Sequence, residues 1–158
     1  MSRAFTREEN NETAIADLGE RPVSPHRNLV TRNGLAMIDA EIAALQAELA
    51  KVDATEEREK SALLARDLRY WKARRETAEL VEPDPDEDVV RFGKIVSLED
   101  EDGRRQTWRI VGEDEADPGV GTISHVSPMA RALFGKAVGD AATVNGREWE
   151  IVSVSAEP

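Results

Sequence analysis

Leu35, Ile38, Ile42, Leu45, Leu49 and Val52 recur at intervals of three, four, three, four and three residues. That spacing lines one edge of an α-helix with apolar side chains and calls for a helical partner. A second run, Leu64, Leu68, Trp71, Arg75 and Ala78, repeats at four, three, four and three inside a helix predicted over 57–79, with Arg75 standing where an apolar residue is expected. Between the two runs, Asp53-Ala54-Thr55-Glu56 leaves room only for a tight reversal, and short connections make helices antiparallel neighbours. The expected product is an αα-hairpin with an acidic tip, a finger roughly 33 Å long for a helix of about 22 residues. Thr31 is placed to cap the first helix, because its hydroxyl can accept from the following turn. Pro83-Asp84-Pro85-Asp86 stops the second.

The flanking sequence behaves differently on each side. Residues 1–30 carry Glu8-Glu9-Asn10-Asn11, Gly19, Pro22 and Pro25 without a sustained period, which reads as a flexible N-terminal strap. The hairpin takes 31–82, a linker 83–88, and a β-rich domain 89–158. Strands are expected over 90–98, 106–111, 121–126, 142–144 and 148–154. Asp102-Gly103 and Asn145-Gly146 supply hairpin turns in which both central residues need positive φ. One short helix is bracketed by Ser127 as N-cap, Pro128 at the first helical position and Gly135 at the end. Its partners in a core are Phe92, Val96, Trp108, Ile110, Met129, Leu133, Phe134, Trp149 and Ile151. The fold class is α+β: an N-terminal antiparallel helical hairpin, or coiled coil, followed by a small antiparallel β domain with one short helix.

Composition narrows the chemistry. Lys and Arg number 21 against 32 Asp and Glu, a formal charge of −11, which excludes a generally basic nucleic-acid-coating protein. The absence of cysteine removes disulfides, thiolate metal sites and a thiol nucleophile, and points to an intracellular, cytoplasmic chain. No apolar run suits a membrane span. His26 and His125 lack metal-ligand spacing, and neither a GxSxG elbow nor a phosphate-cradling glycine loop is present. The acidic runs 99–102 and 113–117 read as solvated turns. At the finger tip, Asp53, Glu56, Glu57 and Glu59 are harder to dismiss, since carboxylates at the end of a rod can present metal ligands to another macromolecule, although a soluble loop also accounts for them. Arg66, Arg69, Lys72, Arg74 and Arg75 wrap around the second helix, either as a nucleic-acid contact or as a solvated face paired to the acidic first helix.

The order of parts is similar to that of the Gre (GreA/GreB) family of bacterial transcription elongation factors. The similarity is carried by Phe92-Gly93, by Leu98-Glu99-Asp100-Glu101-Asp102-Gly103, by Trp108-Arg109-Ile110-Val111-Gly112-Glu113-Asp114-Glu115-Ala116-Asp117, by Ile123-Ser124, by Ser127-Pro128-Met129-Ala130-Arg131-Ala132-Leu133-Phe134-Gly135-Lys136 and by Val138-Gly139-Asp140. The resemblance implies an FKBP-like C-terminal domain docked on RNA polymerase through Val126, Ser127, Pro128 and Met129, with the coiled coil in the secondary channel. It implies that Asp53, Glu56 and Glu57 are the candidates for sharing a catalytic Mg²⁺ with the polymerase active centre during cleavage of backtracked transcripts, no metal being held by the chain alone. Arg66, Arg69 and Lys72, by their charge alone, are the candidate contacts for nascent RNA or the polymerase. On that reading the chain is no enzyme itself.

Two departures mark this chain. Val126 stands where many members have an acidic residue, and the family's tip motif, of the form Asp-Leu-Ser-Glu-Asn-Ala-Glu-Tyr, is replaced by Asp53-Ala54-Thr55-Glu56-Glu57. The first helix is also about ten residues shorter than in typical members, roughly 15 Å at helical rise. Short-fingered relatives bind polymerase without cleavage, so the alternative is a non-cleaving regulator resembling the Rnk-type nucleoside diphosphate kinase regulators, which binds polymerase or such a kinase and competes with other channel-binding factors. A prolyl isomerase is suggested only by the implied fold. The seam leaves oligomeric state open, because it can pair within or between chains.

Overall fold

The computed structural model describes residues 19–158; residues 1–18 of the expected strap lie outside the described residues. The chain divides into two compact units. One joins the segment up to Pro25 with Ile38–Thr77, and the other joins His26–Met37 with Ala78–Pro158.

The first unit contains most of two helices, α1 at Arg32–Lys51 and α2 at Arg58–Thr77. From residue 38 to residue 52, the buried or half-buried positions are Ile38, Ile42, Leu45, Leu49 and Val52, and every residue between them is exposed. The heptad stripe is therefore the buried stripe. On α2, Leu64, Leu68 and Trp71 are half-buried at the matching positions, whereas Arg75 is exposed and its Nε donates to Asp39 Oδ1 of α1 at 2.7 Å. The charge in the seam is thus matched by a charge on the other helix. The helix itself stops at Thr77, two residues before the expected end, because Glu79–Leu80 leave it to form a strand.

The second unit opens with that strand's partner. Strand β1, Leu29–Val30, the last two residues of the expected strap, pairs in parallel with β2, Glu79–Leu80, so that Leu29 lies opposite Glu79. Two-residue strands show no alternation, which left them invisible to a period-based reading. Gly112 is required beside this pair, since a Cβ there would run into the Leu29 carbonyl.

A five-stranded sheet follows: β3 Ile95–Asp100, β4 Arg105–Val111, β5 Thr122–Ser124, β6 Ala141–Val144 and β7 Arg147–Ser155, in the spatial order β5-β4-β3-β7-β6. The expectation of a wholly antiparallel sheet needs correcting, because β4 and β5 run parallel with Ile110 opposite Ile123. The ten-residue connection 112–121, with a 3₁₀ turn at Pro118–Val120, brings the chain back beside Arg109, so that β5 starts in the same direction as β4. β3 also starts five residues later than predicted. Gly93, at φ 86°, breaks the run, and Val90 bonds instead to Lys136 and Gly135.

Asn145 and Gly146 both take positive φ, as the Asn-Gly turn demands. At Asp102-Gly103 only Gly103 does, because the loop is wider and Asp100 holds it open from inside. Helix α3, Pro128–Leu133, packs against β6. Phe92, Val96, Ile110, Leu133, Trp149 and Ile151 are buried in the core, while Trp108, Met129 and Phe134 are partly buried against it. Among the described residues no helix is long and apolar enough to cross a membrane.

Candidate functional site

The segment 124–133 is a short, heavily tied-down platform. Ser127 sits in extended geometry with φ −65° and ψ 154°, and its hydroxyl accepts from the Ala130 backbone N–H at 3.2 Å. That satisfies one of the donors a helix start leaves open. Pro128 follows at a position with no donor to satisfy, which is where proline suits a helix. The Val126 N–H donates to Ser124 Oγ at 3.2 Å, and the Ser127 N–H to the Ser124 carbonyl at 3.0 Å. Ala130 and Leu133 are fully buried, anchoring the helix from below, and His125 is buried edge-on to Phe92 with centroids 5.6 Å apart. Above these anchors Pro128 is exposed, and Val126, Ser127 and Met129 are half-buried. The backbone of these four residues is held in place by the bonds to Ser124 and from Ala130, so that a partner bound there would find it already ordered.

At the hairpin tip, Asp53, Glu56 and Glu57 are all exposed. Asp53 Oδ1 accepts from the Thr55 N–H at 2.9 Å and the Glu56 N–H at 3.3 Å, and the Asp53 carbonyl accepts from the Glu57 N–H at 2.8 Å. Asp53 therefore builds the reversal. Among the described residues no group of three His, Cys, Asp or Glu is gathered so as to hold a metal ion. The tip does not fit a self-contained metal site.

The basic residues of α2 differ in their surroundings, as their wrapping around the helix implies. Arg66 is half-buried beside Asp67 at 3.3 Å, and Lys72 is exposed. Arg69 holds both oxygens of Glu20, a hydrogen bond that raises its pKa and lowers that of the Glu20 carboxyl. Arg74, which reads in the sequence as one more surface charge, is buried.

Several acids read as solvated turns are structural. Asp100 is buried, with Oδ1 accepting from the Asp102 and Arg104 N–H groups at 3.0 and 2.8 Å and Oδ2 from Arg147 Nη1 at 2.9 Å. Burial pushes its carboxyl up, but the two backbone donors and the Arg147 and Arg104 guanidiniums outweigh burial and hold it below the ordinary aspartate value. Glu115 accepts from the Thr31 hydroxyl and from Asn33 Nδ2, and Asp117 caps the 3₁₀ turn through Gly119 N–H at 3.0 Å. Lys94, also buried, donates to the carbonyls of Asp84 and Glu87, fastening the linker to the start of β3. A cleft of about 950 Å³ opens in this unit among residues including Arg32, Pro83, Arg109 and Glu115. Its lining holds no serine, histidine or cysteine, and Glu82 and Glu115 are engaged by Arg32 and by Thr31 and Asn33.

Residues 84–156 match the family described as transcription elongation factor, GreA/GreB, C-terminal. The transcription elongation factor GreA of Maricaulis maris is 48% identical over 73 residues, covering 43% of this chain and 46% of the relative. That of Alkalilimnicola ehrlichii is 54% identical over 70 residues, covering 41% and 44%. The chain thus spans less than half the length of these curated relatives. Among solved structures, GreA factor homolog 1 of Thermus thermophilus aligns over 82% of this chain and 99% of its own, at 21% identity and a TM-score of 0.40. The family match covers the β domain with its capped helix and both hairpin turns, and over that domain the chain is similar to the GreA/GreB family.

Proposed function

We propose that the chain is an RNA-polymerase-binding regulator of transcription elongation, acting in the cytoplasm as a factor for the polymerase and not as an enzyme. The observation that carries this is the match of residues 84–156 to the GreA/GreB C-terminal domain, within which Val126, Ser127 and Met129 are half-buried around an exposed Pro128. Pro128 is the exposed one of the four, and Asp at a first helical position is compatible with the helix. Labelled wild-type chain is expected to bind core RNA polymerase, and Pro128→Asp to lose roughly tenfold or more in affinity with an unchanged far-ultraviolet circular dichroism spectrum. A chain that ignores polymerase, or that retains a nucleoside diphosphate kinase in its place, would overturn the reading.

Within that function the hairpin is the element that enters the secondary channel, and it does so without supplying metal chemistry. Asp53 is engaged in forming the turn, and the three tip acids do not cluster. Since inner-sphere coordination operates at about 2 Å, loosely placed carboxylates contribute little to a shared Mg²⁺. The expected result with stalled, backtracked complexes is no stimulation of transcript cleavage and a reduced effect of other channel-binding factors. Stimulation that disappears in the triple variant Asp53→Ala, Glu56→Ala, Glu57→Ala would establish the cleaving version instead. The basic residues Arg66, Arg69 and Lys72 of α2 are the proposed contact for nascent RNA.

A further inference from the structure

The basic face of α2 already has an occupant. Glu20 places its carboxylate on the Arg69 guanidinium through three contacts of 2.7 to 3.0 Å. The next residue, Arg21, lies 3.9 Å from the Tyr70 ring centroid and 5.8 Å from that of Trp71, and reaches Asp67 at 3.4 Å. Tyr70 and Trp71 meet edge to face, so they form one aromatic corner. Consecutive residues of the N-terminal segment thus offer an anion to a guanidinium and a flat conjugated group to an aromatic ring. A nucleotide offers a protein the same pair: a phosphate for an arginine fork and a planar base for stacking. An acidic peptide would satisfy Arg69 but make no use of the Tyr70 ring that Arg21 now covers.

The contact is also of a strength that can be displaced. The side chains of Arg69 and Glu20 remain 57% and 64% exposed, and exposed ion pairs are weak and screened by salt. Arg21 is more embedded, at 35%, yet its attraction to Tyr70 is a surface cation–π contact of modest size.

We propose that Glu20 and Arg21 are a displaceable cover, occupying in the free protein the surface of α2 on which single-stranded RNA binds, with Arg69 taking a phosphate and the Tyr70–Trp71 corner a base. The proposal rests on the RNA contact assigned above to this helix and adds its regulation: the chain resists RNA until the segment is exchanged for it.

The test uses the intact chain and a short labelled oligouridylate at low ionic strength. The double variant Glu20→Ala, Arg21→Ala removes only exposed or half-exposed side chains, and is expected to bind roughly tenfold more tightly than wild type. Adding Arg69→Ala to it should abolish the gain. In wild type, saturating oligouridylate should speed amide hydrogen exchange across residues 20–25. Equal affinity of the double variant and wild type would overturn the cover while leaving the RNA contact standing. Absence of binding by both would overturn the RNA contact and the cover with it, and competition by polyglutamate as effective as by RNA would reassign the face to an acidic protein.

Discussion

The helical hairpin and the β domain are held together by different physics, and the difference shows which kind of change each tolerates. In the hairpin the apolar seam of α1 is a single stripe, half-buried at Ile42, Leu45, Leu49 and Val52, with exposed alanines and polar residues around it. In the β domain Val96, Leu98, Ile110, Leu133 and Ile151 are fully buried in one cluster, and two charged side chains, Lys94 and Asp100, are buried with their polar atoms matched by partners. A half-buried seam loses stability in proportion to the area removed, whereas a closed core also pays for the cavity left behind.

The sharpest way to break this comparison is a matched pair of truncations. Leu98→Ala should cost the β domain about 2–5 kcal/mol, because Leu98 is fully enclosed. Leu45→Ala in α1 should cost less, about 1–2 kcal/mol, since that side chain is only partly buried and leaves no enclosed cavity. Urea melts followed by segment-resolved hydrogen exchange check both. Equal costs would mean that the hairpin is packed as tightly as a core.

A third change probes the buried charge. The folded-state pKa of Asp100 lies below its ordinary value of 3.8, so its charged form stabilises the fold fully above that pH. The contribution is lost as pH falls through the lowered folded value. Asp100→Asn should therefore lower the melting temperature at neutral pH and flatten its dependence on pH below 3.8. Acid titrations of the two proteins monitored by tryptophan fluorescence check this. Parallel curves would mean that the ties from Asp102, Arg104 and Arg147 carry no charge dependence.

How much of this was legible follows from where each signal resides. The hairpin was readable because a heptad seam is a statement about spacing, and each α1 seam residue from Ile38 onward lies where the spacing put it. The capped helix was readable because Ser127, Pro128 and Gly135 each act through local backbone chemistry. The parallel pairing of β4 with β5 and the short β1–β2 pair were not, since both depend on partners far along the chain. Asp100 and Lys94 escaped for a related reason: a charge beside a turn looks solvated until the backbone groups that surround it are known. At the candidate sites the tip acid Asp53 proved to be part of the turn, and Arg69 to be bonded by Glu20, a partner 49 residues away.

Arg75 gives the smallest expected effect and the finest test of what the seam requires. It occupies a heptad position where leucine is the usual choice, yet it is exposed, and it bridges to Asp39 at 2.7 Å with both side chains about half in solvent. Such a bridge is worth about 0–1 kcal/mol, and salt reduces it further. Arg75→Leu removes it and adds apolar surface that can fold down only if α1 offers contacts at that level. The opposing contributions predict a net change within about 0.5 kcal/mol, with the salt dependence of the melting temperature diminished. A loss well beyond that would show that the bridge to Asp39 fixes the pairing of the helices in a way the apolar seam does not. A clear gain would show that the stripe continues through position 75 and that the arginine is retained for its charge.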